Sequence, residues 1–382
     1  AEAEEMDLKD EEIYPYVQAS VDQQVVGVVI DPLLVKGASG ILAVRYRRKN
    51  SKRGRNSFIP AEGGLTEMNW RQIKQENPRQ YRQVFEQLGE TVNAAQRMLI
   101  ALHDDKTLSN GMREKLISTI TMLLEGGIMD NLTLAQVKGI IWQIIWVYAK
   151  SPFQLHKKVA DERAMLLAED LLKILDNAQA PTSQELIVKR LRLAMMIAAL
   201  SNLNMFDWTR APNARDRLSF VPDKFRNVLR LVAHPRNIDK LLALIFKRRY
   251  FAVEDTNAII DRLLAVPEAE RRGKTILFNV NNAGEVIYSL VLIREILRLG
   301  YRVVISAKAR PVDDNYDVQD MQVLLQSPAV YNAQFLGPFL DAGMVRVISN
   351  GSRSSGIDLS DVSADFYAVA TSPDTIIMFS VG

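Results

Sequence analysis

The period of the apolar positions changes twice along this chain. Two short valine-rich runs, Val25–Ile30 and Ile41–Tyr46, are separated by Asp31-Pro32 and by Gly37-Ala38-Ser39-Gly40, which predicts a β-pair with a loose turn. From about Asn69 to Leu264 the spacing is helical. Val92, Ala95, Leu99 and Leu102 make one stripe, and Leu116, Ile120, Leu123 and Leu124 another. Ser151 reads as an N-cap with Pro152 at the first helical position. The Leu193–Leu200 run is apolar all round, so it predicts a buried helix, and Trp142 and Trp146, one turn apart, read as core.

From Lys274 onward, strand-length apolar runs alternate with helices. The strands are Thr275–Val280, Arg302–Ser306, Val345–Ile348 and Thr375–Phe379. Between the first two, Val286, Leu290, Ile293 and Leu297 share a helix face that ends at Gly300. Alternation of buried-type strands with helices predicts an α/β fold with a doubly wound, mostly parallel sheet, preceded by a helical bundle. The expected division is an N-terminal extension over 1–68, a helical domain over 69–264 and an α/β domain over 265–382.

Composition narrows the chemistry. The chain has 382 residues, and 48 Lys+Arg against 45 Asp+Glu leave a formal charge of only +3, so any affinity for a polyanion must come from a local patch. Arg45–Arg55 is such a patch, with seven basic residues in eleven, including Arg47, Arg48, Lys49 and Arg53. It reads either as a solvated loop or as a docking element for a protein partner or polyanion. There is no cysteine, which excludes disulfides, thiolate zinc sites and cysteine nucleophiles. The three histidines, His103, His156 and His234, lack metal-binding spacing. No apolar stretch approaches the ~20 residues of a membrane span, and the acidic start Ala1–Glu12 is unlike a signal peptide. The expected location is the cytoplasm.

Open parallel sheets bind ligands beyond the carboxyl ends of their strands. Here those ends carry Asn281-Asn282-Ala283-Gly284, then Lys308 through Asp320, then Asn350-Gly351. The first opens a helix, where backbone N–H groups can hold an anion. Polar, glycine-bearing loops of this kind suit a phosphorylated small molecule.

The same residues carry a resemblance. Asn281-Asn-Ala-Gly-Glu285, Pro311-Val-Asp-Asp-Asn-Tyr-Asp-Val-Gln-Asp320, and Ile348-Ser-Asn-Gly with Gly356-Ile-Asp-Leu359 resemble the damage-control phosphatase family. That family is also called the acidic-residue methyltransferase-like domain or domain of unknown function 89. Upstream, Ser151-Pro-Phe with Lys157-Lys158 and the Leu193–Asn202 helix resemble its other motifs, so the match runs over residues 115–382. The resemblance implies an α/β sheet behind a helical bundle and a divalent metal, Mg or Mn, at Asn281, Asn282 and Asn315. It further implies catalytic roles for Asn282, Asp314 and Asp320, with substrate met by Asn202, Gly284, Lys308, Asn350 and Gly351.

The chain departs from the family pattern where charge is needed. The family's first Asp falls on Asn281 and the Asp of its second motif on Asn315, with Asp314 in the place of the family's Asn. An acidic helix position falls on Ser289, and a Lys of the last loop on Phe379. Each Asp-to-Asn change keeps an oxygen and removes a charge on which hard cations rely. Two functions follow from the resemblance: a non-catalytic or strongly diverged binding or scaffold subunit, or a metal-dependent phosphatase acting on small phosphorylated metabolites.

Overall fold

In the computed structural model the described residues are 153–201 and 251–381 except 313, 353–356 and 358–361. To these are added strands at 27–30 and 42–46, scattered positions between 71 and 142, and Leu242. The stripes from Val92 and Leu116 lie outside them, as do Trp146, Asn202 and the basic residues Arg47, Arg48, Lys49 and Arg53.

Among the described residues the elements run β1 (Gly27–Ile30), β2 (Leu42–Tyr46), α1 (Gln154–Asp176), α2 (Ser183–Leu200), β3 (Phe251–Glu254), α3 (Thr256–Ala265) and α4 (Glu268–Arg271). They continue with β4 (Thr275–Asn279), α5 (Glu285–Arg298), β5 (Arg302–Ala307), α6 (Val318–Gln326), α7 (Gly337–Asp341), β6 (Val345–Ser349), α8 (Ala364–Ala370) and β7 (Thr375–Val381). One seven-stranded sheet has the order β3-β2-β1-β7-β4-β5-β6. The four strands β7, β4, β5 and β6 are parallel, as the buried-type runs predict. The N-terminal pair is antiparallel, and β1 also pairs antiparallel with β7, Gly27 opposite Val381 and Ile30 opposite Met378.

Strand alternation sorts the core into two layers. Ile276, Phe278, Val303 and Ile305 pack with α1, α2, α3, α5 and α6 on one face. Leu277, Val304, Ile348 and Ile377 pack with Phe366 and Ala370 of α8 on the other. The chain steps outward from β4 to β5 to β6, then returns past them through α8 to β7. The strand order therefore reverses between β4 and β7, and the carboxyl ends of these strands are where open α/β sheets bind ligands.

Helix α5 lies along the middle of this structure and is buried from Glu285 to Leu297. It carries Arg294 and Glu295 into the interior, where Arg294 bonds both oxygens of Asp176 at 2.7 and 2.6 Å and Oε1 of Glu295 at 3.0 Å. Gly300, with φ +96°, ends the following turn as the helix-stop reading requires. The Leu193–Ala199 segment of α2 is buried, matching its all-round apolar sequence. Trp142 is buried edge-on to Phe153, ring centroids 6.1 Å apart, so the tryptophan is core. One boundary differs from expectation. Helix α1 begins at Gln154 with Phe153 as its N-cap, not Ser151, and no side chain caps it. The Phe153 ring packs against Trp142 at this helix start.

Candidate functional site

Two loops meet at the carboxyl edge of the sheet. The first leaves β4 as Val280–Ala283 and enters α5 through Gly284, whose φ of +76° is the left-handed conformation glycine adopts freely. A Cβ there would stand 3.3 Å from the Cβ of Ala160, so α1 passes directly over this turn. The second loop leaves β5 through Lys308 and returns as Asp314–Asp317 before α6.

Backbone bonds join the loops to one another. Ala283 N–H donates to the Asp314 carbonyl at 2.9 Å, and Tyr316 N–H to the Asn281 carbonyl at 2.8 Å. Asn282 and Asn315 form an isolated antiparallel bridge, and Nδ2 of Asn315 donates to Oδ1 of Asn282 at 3.1 Å. Both side chains are buried, and Oδ1 of Asn315 has no hydrogen-bond partner. Three of the residues assigned by resemblance, Asn282, Asp314 and Asn315, are thus brought together with the Asn281 backbone.

The remaining assignments scatter around this centre. Lys308 is buried at the end of β5, its N–H on the Tyr316 carbonyl and its carbonyl receiving Val318 N–H, and burial pushes its ammonium down to about 7. Asn350 is buried beyond β6, where its N–H bonds the Ala307 carbonyl and its Oδ1 accepts from Ser352 N–H at 2.9 Å. Gly351 follows with φ +83° and its N–H on Ser349 Oγ. Asp320 lies in the first turn of α6. It accepts from Lys157 Nζ at 2.6 Å, and it forms a capping box with Asp317, whose own Oδ1 accepts from Asp320 N–H at 2.9 Å. Burial and the nearby Asp320 charge raise the pKa of Asp317.

The structure adds a group that the loop motifs do not contain. Asp161 on α1 accepts from Gly284 N–H at 2.8 Å and from the Tyr316 hydroxyl. Enclosure of its carboxylate raises its pKa to about 6, against the lowering effect of those two bonds. Lys157 and Asp161 stand one helical turn apart and face the same loops. The Gly284 amide, a candidate anion donor at the start of α5, is therefore bonded to an internal carboxylate.

These residues can be tested against a divalent metal. Asn281, Asn282 and Asn315 offer only neutral oxygens, and Oδ1 of Asn282 already accepts a hydrogen bond. Asp161, Asp317 and Asp320 are committed to Gly284 and Tyr316, to the α6 cap, and to Lys157. Among the described residues no group of three His, Asp or Glu side chains could hold a metal ion. Hard cations draw their affinity from clustered anionic oxygens, and beside the asparagine pair Asp314 is a single buried carboxylate, so this donor set fits such a cation poorly.

The chain is 24% identical over 250 residues to pantothenate kinase 2 of Arabidopsis thaliana, covering 59% of this chain and 25% of that protein. It thus spans about a quarter of the length of that curated relative. A solved DUF89 family protein from Pyrococcus horikoshii is 18% identical, with a TM-score of 0.45 over 74% of this chain and 79% of that one. No helix among the described residues is long and apolar enough to cross a membrane. The model of the damage-control phosphatase ARMT1-like domain matches residues 70–378, and the chain belongs to that family.

Proposed function

We propose that this chain is a strongly diverged, non-catalytic member of its family that works as a binding or scaffold subunit. The observation that carries this reading is the Asn282–Asn315 pair. Two carboxamides bond to each other at 3.1 Å where the family pattern calls for a metal-binding carboxylate beside an asparagine. The pair is neutral, and the nearby carboxylates of Asp161 and Asp320 accept from Gly284 N–H and Lys157 Nζ. A phosphorylated small molecule is the ligand class that suits the loops. The Asn315 Oδ1 supplies an unmet acceptor for a ligand hydroxyl or amide, and Lys308 and Asn350 stand at the neighbouring strand ends. The Arg45–Arg55 segment is the proposed docking element for a protein partner or polyanion.

The test joins metal titration to turnover. Calorimetry with Mn²⁺ at millimolar concentration should give no saturable heat. Ribose 5-phosphate and 4′-phosphopantetheine should release no phosphate in its presence. The second probe is chosen because the curated relative is named a pantothenate kinase. The double variant Asn281→Asp/Asn315→Asp should gain Mn²⁺ binding. Saturable Mn²⁺ binding together with phosphate release by the wild-type chain would instead make it a metal-dependent phosphatase. Docking is tested by neutralising Arg47, Arg48, Lys49 and Arg53, which should abolish a salt-sensitive complex. Persistence of that complex refutes the role of the segment.

A further inference from the structure

We infer that Asp161 is a positioning residue that locks both ligand loops to α1, a role that rests on reading those loops as the binding edge. Its two oxygens take different loops. Oδ1 accepts from Gly284 N–H at 2.8 Å in the first, and Oδ2 from the Tyr316 hydroxyl in the second. Tyr316 then returns to the first loop through its own N–H on the Asn281 carbonyl at 2.8 Å. The result is a closed ring of contacts, Gly284 to Asp161 to Tyr316 to Asn281, with the Asn282–Asn315 pair between its arms.

Without Asp161 the two loops would still touch one another, but nothing from this position would tie them to α1. The Gly284 amide would also lose its acceptor where Ala160 closes over it, 3.3 Å from the position of a Cβ. Lys157 supports the same arrangement from one turn earlier by holding Asp320 at 2.6 Å. These links reach from α1 across more than a hundred residues of chain to loops that belong to the sheet, so α1 is a wall of the site as well as a packing helix. A carboxylate enclosed in this way titrates near 6, above the ordinary value of 3.8. A link needed for stability alone would be served equally by a neutral acceptor. The charge is explained by the strength of the bonds it accepts, since hydrogen bonds to an ionised acceptor are shorter and stronger than neutral ones.

Amide hydrogen exchange on the full chain, with no ligand added, tests this role. In Asp161→Ala, amides of 281–284 and 314–318 should exchange about tenfold faster or more, the loss expected for charge-assisted hydrogen bonds. Amides of β4 and β5 should keep their wild-type protection. Asp161→Asn keeps an acceptor for Gly284 and should restore protection of the first loop to within about threefold of wild type. Tyr316→Phe should release the second loop while leaving Gly284 protected, and it carries the test if the alanine variant does not fold. Unchanged loop protection in the alanine variant, or in Tyr316→Phe where that variant must stand in, overturns the inference. So does acceleration spread evenly through β4 and β5, or failure of the asparagine to rescue. Because no ligand enters the measurement, absence of phosphate-ester binding would count against the proposed function and leave this result standing.

Discussion

Replacing Asp161 with Asn is expected to stabilise the protein, and to do so only above mildly acidic pH. The folded carboxyl has a pKa of about 6 against an ordinary 3.8, a difference of 6 − 3.8, or roughly two units. At about 1.4 kcal/mol per unit, ionised Asp161 opposes folding by at most about 3 kcal/mol. The sign follows from proton binding: the folded state holds this proton more tightly than the unfolded chain. Its contribution is present below about pH 4 and is lost as pH rises through about 6. Asparagine has no such titration, keeps an acceptor for Gly284, and can donate Nδ2 to the Tyr316 hydroxyl oxygen. The variant should therefore match the wild type near pH 4 and exceed it by about 1–3 kcal/mol near pH 7.5, read from urea unfolding curves across that range. A stability difference that does not vary with pH would refute the reasoning. So would a difference that grows towards acid.

Other perturbations separate the parts of the structure. Arg294→Met should lower stability by about 3–5 kcal/mol in urea, because Glu295 is left buried with less opposing charge, and adding Glu295→Gln should recover part of the loss. Gly284→Ala should cost about 2 kcal/mol, from the left-handed backbone and the close approach to Ala160, measured as a fall in unfolding midpoint. Lys157→Met should cost only about 1 kcal/mol, since a third of the Asp320 side chain remains exposed. In the Lys157→Met/Asp320→Asn double variant the two effects should be markedly non-additive, as expected for groups in direct contact.

What the sequence discloses depends on how local the determinant is. The strands from Thr275 onward are visible because buried parallel strands are short, continuous apolar runs, and β4 to β7 begin where those runs begin. The antiparallel β1–β2 pair is visible because two short valine-rich runs flank turn residues. Pairing of β1 with β7 is not, since nothing in the Val25–Ile30 run specifies a partner at the other end of the chain. The loop motifs around Asn281 and Asp314 stand out because glycine, asparagine and aspartate cluster after strands. Asp161 has no such signal. On α1 it is one acidic residue among Asp161, Glu162, Glu169, Asp170 and Asp176, and only the approach of Gly284 and Tyr316 distinguishes it. The one usable hint was its spacing, four residues after Lys157 in a segment already singled out by its resemblance to a family motif. The helix start differs from the one that the local Ser-Pro signal suggests, since α1 begins at Gln154 with Phe153 as its N-cap and no side chain capping it.

The antiparallel alignment of β1 with β7 also has a consequence for synthesis. Gly27 through Ile30 leave the ribosome roughly 350 residues before their hydrogen-bonding partners, Met378 through Val381 (378 − 30 = 348; 381 − 27 = 354). Until then one edge of β1 has no strand to meet, and β4 likewise waits for β7 on one side. Pairing across so long a chain closes late and slowly. Nascent chains of this protein should depend on holding factors until β7 has emerged, and removal of a few residues from β7 should expose two strand edges at once.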